Sequence, residues 1–347
     1  MQLVRREVKE APLYEPPSYS RSVVARLDLN ENPFPPPDFV VEAVLAEARR
    51  ANRYPEKELY DRLYMLLGDY TGVDERLLAI GPGGDGLIQA LISSVVGPGD
   101  RAVCIEPSFP MYTLHLTLKG ASVEKVGLEP CGDKWCLDLT SLVNSARNAR
   151  MIIIDNPNNP TGSLLVDERS IRELIEETRA LIVVDEAYYE FSKSSVIGLV
   201  EETDRLVVLR TLSKAFSLAG LRIGYMAGSR ELRDAVWKHI APFPVSRVAA
   251  AAAVAALEHR EYFARIVDEI IRRRMWLRSQ LNNLGVRAYK SWTNFILVDT
   301  GIPRVAEKLA RKGVRVQPTS LGDTWIRVSV GAPEELKYFI EVLGTLV

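Results

Sequence analysis

Five short apolar runs in the middle of the chain constrain its fold more than any other feature. Each run is continuously apolar rather than alternating, and stretches with helix-like amphipathic spacing separate the runs. They are AVCIEP near residue 102, MIIID from 151, LIVVD from 181, LVVLR from 206 and IGYMAG from 223. Strands of this composition are typical of a largely parallel sheet that helices cover on both faces. The sequence therefore predicts a three-layer α/β domain.

The two ends of the chain differ from this pattern. Seven prolines fall within the first 37 residues, and because proline removes a backbone donor, this region is expected to be extended. The C-terminal part reads as an alanine-rich helix, a long charged helix and a short tail of strands and helices, which favours a smaller α+β domain. We expect an arm over 1–28 that joins the small domain, a large domain over 29–247 and a small domain over 248–347.

Charge, hydropathy and cysteine content exclude several classes of function. The 347 residues include 44 basic and 45 acidic ones, so no overall field attracts nucleic acid. The beginning is charged, and the longest apolar run, Val248 to Leu257, is too short to cross a membrane. We therefore expect a cytoplasmic protein that does not bind a membrane. Cys104, Cys131 and Cys136 fit neither a disulfide framework nor a zinc site. We expect them to be reduced thiols and the protein to bind no metal.

Four polar segments lie where an α/β sheet binds its ligands, just beyond the carboxyl ends of strands or at the start of a helix. They are Asn156 to Gly162, Asp185 to Tyr188, Thr211 to Lys214, and the glycine-rich stretch Gly81 to Gly86. Each segment alone is compatible with a turn, a helix cap or a solvated lysine. Their occurrence together and in this order favours a shared ligand site.

Together these residues resemble the fold-type I enzymes that depend on pyridoxal phosphate, specifically the class I and II aminotransferases. The resemblance extends from about Leu29 to the C-terminus, and the histidinol-phosphate aminotransferase branch is the most similar. It rests on LNENPFPPP at 29, RYP at 53, PSFPMY at 107, NPNNPTG at 156, DEAYYEF at 185, RTLSKAFSLAGLRIGY at 210, APFPVS at 241 and TNFILV at 293. It implies the three-layer fold of that family and pyridoxal 5′-phosphate as the cofactor.

Three catalytic residues follow from the resemblance. Lys214 is expected to bond to the cofactor aldehyde and to move a proton between the substrate Cα and the cofactor C4′. Asp185 is expected to keep the pyridine nitrogen protonated, which makes the ring an electron sink. Tyr188, together with Asn159, is expected to hydrogen-bond the phenolic oxygen of the ring and so tune the proton affinity of the neighbouring imine.

The resemblance also implies the remaining cofactor contacts. Phe109 would cover one ring face. The phosphate would bind backbone donors at a helix start and polar side chains nearby, namely Gly84, Asp85, Gly86, Thr211, Ser213 and Arg222. Gly86 stands where a glutamate is common, which leaves only its backbone donor. Tyr54 matches a tyrosine that reaches the phosphate of the neighbouring subunit, so the expected assembly is a homodimer with shared active sites.

On the substrate side, Arg327 matches an arginine that binds a substrate carboxylate or, in the histidinol-phosphate branch, helps to bind the phosphate. Asn294 would lie beside the site, and Tyr14 would reach in from the arm. Gln317 stands where that branch usually has a second phosphate-binding arginine. Either Arg315, which shares a strand face with Gln317, compensates, or the donor is an unphosphorylated, for example aromatic, amino acid.

The expected function is transfer of an amino group between an amino acid or histidinol phosphate and a 2-oxo acid such as 2-oxoglutarate, as in histidine biosynthesis. Alternatives are an aromatic amino acid aminotransferase and a decarboxylase resembling threonine-phosphate decarboxylase, because the same electron sink serves both reactions. A regulator that uses such a domain as a ligand sensor would carry a DNA-binding domain in front of it. The family pattern begins by Leu29, which leaves no room for one.

Overall fold

A computed structural model describes residues 3–13, 16, 18, 19 and 22–347. Its helices are α1 (Arg6–Glu10), α2 (Asp38–Ala48), α3 (Lys57–Thr71), α4 (Gly83–Val95), α5 (Pro110–Leu118), α6 (Leu139–Ala146), α7 (Glu168–Glu177), α8 (Tyr189–Ser192), α9 (Arg230–His239), α10 (Arg247–Glu258), α11 (Arg260–Asn283), α12 (Val305–Arg311) and α13 (Pro333–Gly344). Its strands are β1 (Ala25–Leu27), β2 (Leu78–Pro82), β3 (Arg101–Glu106), β4 (Ser122–Cys131), β5 (Lys134–Leu137), β6 (Met151–Asp155), β7 (Leu181–Asp185), β8 (Leu206–Thr211), β9 (Ile223–Ala227), β10 (Arg287–Ala288), β11 (Phe295–Asp299), β12 (Val314–Thr319) and β13 (Gly322–Ser329).

The central sheet has eight strands in the order β2-β9-β8-β7-β6-β3-β4-β5. The five strands from β8 to β4 are parallel, and antiparallel strands flank them. All five apolar runs of the sequence are strands of this sheet. The prediction of a largely parallel sheet in an α/β fold is therefore confirmed.

Both faces of the central sheet are buried, which explains why its strands are continuously apolar. Along β6, Ile152 and Ile154 belong to one core together with α6 and α7, whereas Met151 and Ile153 belong to a second core with α4, α5 and α9. Neighbouring side chains of a strand point to opposite faces, so each face needs its own apolar set. The helices on the two sides complete the three layers.

The second sheet has the order β1-β12-β13-β11-β10, and β1 pairs in parallel with β12. The expectation that the first 37 residues are extended is wrong for Arg6–Glu10, a stretch without proline that forms α1 and lies against α5. Arg5 anchors this end by donating from Nη2 to the carbonyl of Leu118 at 2.9 Å. The domain boundaries after residues 28 and 247 stay a prediction.

The hairpin of β4 and β5 contradicts the expectation of three reduced thiols. A disulfide joins Cys131 to Cys136, with the two Cα atoms 5.9 Å apart, while Cys104 is free and buried. The chain reverses between the paired cysteines at Gly132, whose φ is +69°. Two cysteines five residues apart come together only because of this reversal, which the sequence analysis did not identify.

Among the described residues, no helix combines the length and the apolar character that a membrane crossing requires.

Candidate active site

One cavity of about 760 Å³ lies at the carboxyl ends of β6, β7 and β8, between the start of α4 and strand β13 of the second sheet. It brings together most of the residues singled out in the sequence. Those that line it are Gly84, Asp85, Phe109, Asn159, Asp185, Tyr188, Thr211, Ser213, Lys214, Arg222, Gln317 and Arg327. Their individual roles are predictions, which the following geometry supports to different degrees.

Asp185 ends β7 and is 8% exposed. Its Oδ2 accepts a hydrogen bond from the hydroxyl of Tyr112 at 2.7 Å, and its Oδ1 accepts from the N–H of Ala187 at 3.0 Å. Burial raises the pKa of Asp185 to about 7, because charge is costly away from water. A cationic partner, such as a protonated ring nitrogen, would keep this carboxylate ionised.

Asp155 is a second buried carboxylate that the sequence analysis missed. It pairs with Asp185 in the register of β6 and β7 and lines the same cavity. Its oxygens accept from Ser108 Oγ at 2.8 Å, from Asn158 Nδ2 at 2.8 Å and from the N–H of Asn159 at 2.7 Å. Burial raises the pKa of Asp155 to about 6. The sequence contained a signal for Asp155, because MIIID and LIVVD both end in an aspartate and parallel strands end at the same edge of a sheet.

Lys214 follows β8 and points its amine into the cavity, where Nζ donates to the carbonyl of Leu29 at 3.1 Å. Burial, and after it the positive charge of Arg327, lowers the pKa of Lys214 to about 8. A lysine with a lowered pKa has a larger neutral fraction at neutral pH, and the neutral amine is the nucleophile.

Tyr188 is held by Asn30, another residue to which the sequence analysis assigned no role. Asn30 Nδ2 donates to the hydroxyl of Tyr188 at 2.9 Å, and Ser329 Oγ donates to Asn30 Oδ1 at 3.0 Å. Burial raises the pKa of Tyr188 to about 12. Asn30 adopts a positive φ of 52°, which asparagine tolerates better than most residues. The LNENP motif contained this signal, although its contact with Tyr188 spans 158 residues.

Arg327 of β13 connects the two sheets. It donates from Nη1 to Asn159 Oδ1 at 2.6 Å and from Nη2 to the carbonyl of Asp28 at 2.5 Å. Its Nε is buried without a hydrogen-bond partner in the described structure, and burial lowers its pKa. Gln317 stands directly opposite Arg327 in the register of β12 and β13. A guanidinium and an amide therefore face the same end of the cavity.

The start of α4 forms a cup beside Lys214. The first N–H groups of a helix have no partner within the helix, so they are available to an anion. A Cβ on Gly84 would meet no described atom within 4 Å, whereas a Cβ on Gly224 would lie 2.6 Å from the backbone of Gly83. Strand β9 thus approaches the cup closely. Arg222 closes it on one side and pairs with Asp85 at 3.0 Å.

Several predicted residues lie outside this cavity. Gly86 packs against Pro82, where a Cβ would come within 2.5 Å. Asn294 is buried beside the site and donates to the carbonyl of Asn30 at 2.9 Å without lining the cavity. The remaining two described residues, Arg315 and Tyr54, do not line the cavity either, and Tyr14 lies outside the described residues.

The donor set fits pyridoxal phosphate. Lys214 offers an amine to the aldehyde, Asp185 a carboxylate to the ring nitrogen, Tyr188 a hydroxyl to the phenolic oxygen, and the cup at Gly84 a set of N–H groups to the phosphate. The open space above Gly84 is what a phosphate requires. The described part of the chain contains no group of acidic, histidine and cysteine side chains that would hold a metal ion.

Comparison with known proteins agrees with this geometry. Residues 22–343 match the family model of class I and II aminotransferases. The histidinol-phosphate aminotransferase of Sulfurisphaera tokodaii is 38% identical over 324 residues, covering 93% of this chain and 90% of that protein. The histidinol-phosphate aminotransferase of Methanothermobacter thermautotrophicus is 36% identical over 336 residues, covering 93% and 89%. The crystal structure of histidinol-phosphate aminotransferase from Sinorhizobium meliloti in complex with pyridoxal-5′-phosphate is similar with a TM-score of 0.89 and 26% identity, covering 100% and 99%.

We expect Asp185→Asn to stabilise the cofactor-free protein above neutral pH. The raised pKa of Asp185 means that ionisation costs folding free energy, and this cost grows from about pH 4 to about pH 7. The variant should therefore gain on the order of 4 kcal/mol at pH 8 and only about 1 kcal/mol near pH 4.5. Denaturant unfolding at both values measures the difference, with the exposed Asp69→Asn as a control. A gain that is equal at both pH values would contradict the burial of this charge.

Proposed function

This chain belongs to the class I and II aminotransferase family, and from that premise we propose that its amino donor is histidinol phosphate and its acceptor a 2-oxo acid such as 2-oxoglutarate. It is a pyridoxal phosphate-dependent aminotransferase. The convergence of Lys214, Asp185 and Arg327 on one cavity carries the proposal. The names of the relatives support the choice of donor, and with it a role in histidine biosynthesis.

The chain's own groups supply the acid, the base and the fixed charges of this reaction. Pyridoxal phosphate, when bound, supplies the electron sink. The Nζ of Lys214 takes up and returns a proton near neutral pH, because burial brings its pKa to about 8. The carboxylate of Asp185, oriented by Tyr112, supplies the negative charge for the ring nitrogen. Asn30 fixes the hydroxyl of Tyr188.

Arg327 supports an anionic donor. Its side chain is buried, and its guanidinium hydrogen-bonds an amide oxygen and a carbonyl but no carboxylate of the described residues. Burying such a charge is costly unless a ligand pairs with it. A substrate carboxylate or phosphate would provide that partner and accept two parallel hydrogen bonds.

One observation favours an unphosphorylated donor as the second candidate. Gln317, not Arg315, faces the cavity opposite Arg327, so the described residues at this end provide one guanidinium and one amide. An aromatic amino acid needs only the single arginine for its carboxylate. The relatives found are named as aminotransferases, and no feature of the site favours the decarboxylase.

We further propose that the enzyme is a homodimer with shared sites, as the resemblance implies. Tyr54 supports this, because it is 74% exposed and lies outside the cavity of its own chain. A second copy is the partner that would bring this side chain to a cofactor phosphate. The cytoplasmic location expected from the sequence stays a prediction.

Lys214→Ala should abolish amino transfer, because the other described lysine that lines the cavity, Lys125 of β4, is paired with Glu106 at 3.0 Å. The variant should also lose the visible absorbance that the cofactor gains on bonding to the lysine. Both are measured on purified protein incubated with pyridoxal phosphate, and Lys238→Ala on the exposed side of α9 serves as the control. Wild-type turnover in the Lys214→Ala variant would contradict the proposed function.

Gln317→Arg should improve the use of phosphorylated donors. A second guanidinium opposite Arg327 adds a charge-assisted pair to a dianion, so KM for histidinol phosphate should fall about tenfold. A screen of histidinol phosphate, phenylalanine, tyrosine, glutamate and aspartate with 2-oxoglutarate measures this effect and identifies the preferred donor. Arg315→Gln is the matched control, since Arg315 does not line the cavity. Unchanged or poorer use would mean that position 317 does not face the donor.

A further inference from the structure

An ionic cluster around one buried arginine joins the beginning of α10 to the end of α2 and to the segment between α2 and α3. Arg247 is the first residue of α10, is 3% exposed and does not line the active-site cavity. Its guanidinium pairs with Glu47 and with Glu56, the latter at 2.7 Å, and donates to the carbonyl of Tyr54 at 2.7 Å. A cation is unfavourable at a helix N-terminus. The helix itself therefore does not explain why an arginine is buried there.

A second arginine contacts both carboxylates of the cluster. Arg50 contacts Glu47 at 3.2 Å and Glu56 at 2.6 Å, so two arginines share both carboxylates. Arg247 is the member that also binds the main chain, at the carbonyl of Tyr54 and, at 3.4 Å, at the carbonyl of Arg53. The backbone of the RYP segment is thus fixed by a planar, multidentate side chain.

The ring of Tyr54 is fixed as well. It stacks on Phe243 with ring centroids 4.4 Å apart and an interplanar angle of 13°. Phe243 lies between two prolines and has a φ of +56°, and the next residue but one, Val245, accepts a hydrogen bond from Tyr60 at 2.5 Å. An exposed tyrosine usually samples several rotamers, whereas this one is held at its backbone and at its ring while it projects outward.

We propose that Arg247 is a positioning residue that presents Tyr54 to the cofactor phosphate of a second copy of this chain. The inference rests on the proposed homodimer with shared sites. Arg247 touches neither cofactor nor substrate and acts through the main chain of Tyr54. Fixing the hydroxyl before the subunits meet reduces the entropy lost when it binds the phosphate, which raises affinity without any new contact.

The affinity of the dimer for pyridoxal phosphate tests this role. Arg247→Met removes the guanidinium that holds the main chain of Tyr54. The dissociation constant for pyridoxal phosphate should rise about tenfold, because the hydroxyl of Tyr54 is then no longer preorganised to bind the charged phosphate. Arg247→Lys should recover part of the loss. Arg62→Met is the matched control, since Arg62 pairs with Glu258 at 2.7 Å and also joins α3 to α10. It leaves the RYP segment untouched and should leave the affinity unchanged.

A double-mutant cycle separates positioning from stability. If Arg247 acts through Tyr54, then Tyr54→Phe/Arg247→Met should bind the cofactor no more than about twofold more weakly than Tyr54→Phe alone. Additive losses, or a lower melting temperature with unchanged cofactor affinity, would overturn the inference. If Arg247→Met does not fold, Arg247→Lys in the same cycle carries the test, because lysine keeps the charge beside Glu47 and Glu56 but lacks the planar guanidinium that binds the carbonyls of Tyr54 and Arg53.

Dimers of two different chains test whether Arg247 of one subunit affects the site of the other. In these dimers, Lys214→Ala on one chain removes covalent cofactor binding at that chain's site. When Arg247→Met and Lys214→Ala are on the same chain opposite a wild-type chain, the remaining site should show the weakened affinity. When they are on different chains, that site should bind normally. Equal affinity in both arrangements would overturn the inference. A wild-type protein that is monomeric, or that binds no pyridoxal phosphate, would instead refute the proposed function.

Discussion

The parallel pairing of β6, β7 and β8 is the constraint on which the rest of the molecule depends. Because both faces of these strands are buried, their carboxyl ends form a closely spaced row of polar groups on an apolar floor. The same burial raises the pKa of Asp185 to about 7 and lowers that of Lys214 to about 8. The sheet therefore does two things at once, since it places an acid and a base beside one cavity and moves both pKa values toward neutrality.

The second sheet completes the site through a few long-range hydrogen bonds. Arg327 bonds Asn159 of the central sheet's loop and the carbonyl of Asp28, while Asn30 bonds both Tyr188 and Ser329. These bonds connect groups that the central sheet alone does not bring together. The residues just after β1 therefore hold β13 against the loops of the central sheet.

Much of this arrangement was readable in the sequence. Continuous apolar runs identified five strands, and the polar residues after them identified the cavity, because both signals are local. What the sequence did not reveal depends on contacts between distant residues. Asp155 required the strand register, Asn30 required the packing of the second sheet, and the disulfide at Cys131 required the chain reversal of an edge hairpin. The contacts of Arg247 are of the same kind, since its partners lie about 190 to 200 residues away in the sequence.

The most direct test of the central claim is the rate at which the cofactor-free enzyme takes up pyridoxal phosphate, measured as a function of pH. If burial in this cavity controls the amine of Lys214, the rate of covalent uptake should rise with a midpoint near pH 8. A rate that continues to rise to about pH 10.5, the ordinary value for a solvated lysine, would show that the sheet does not tune this group.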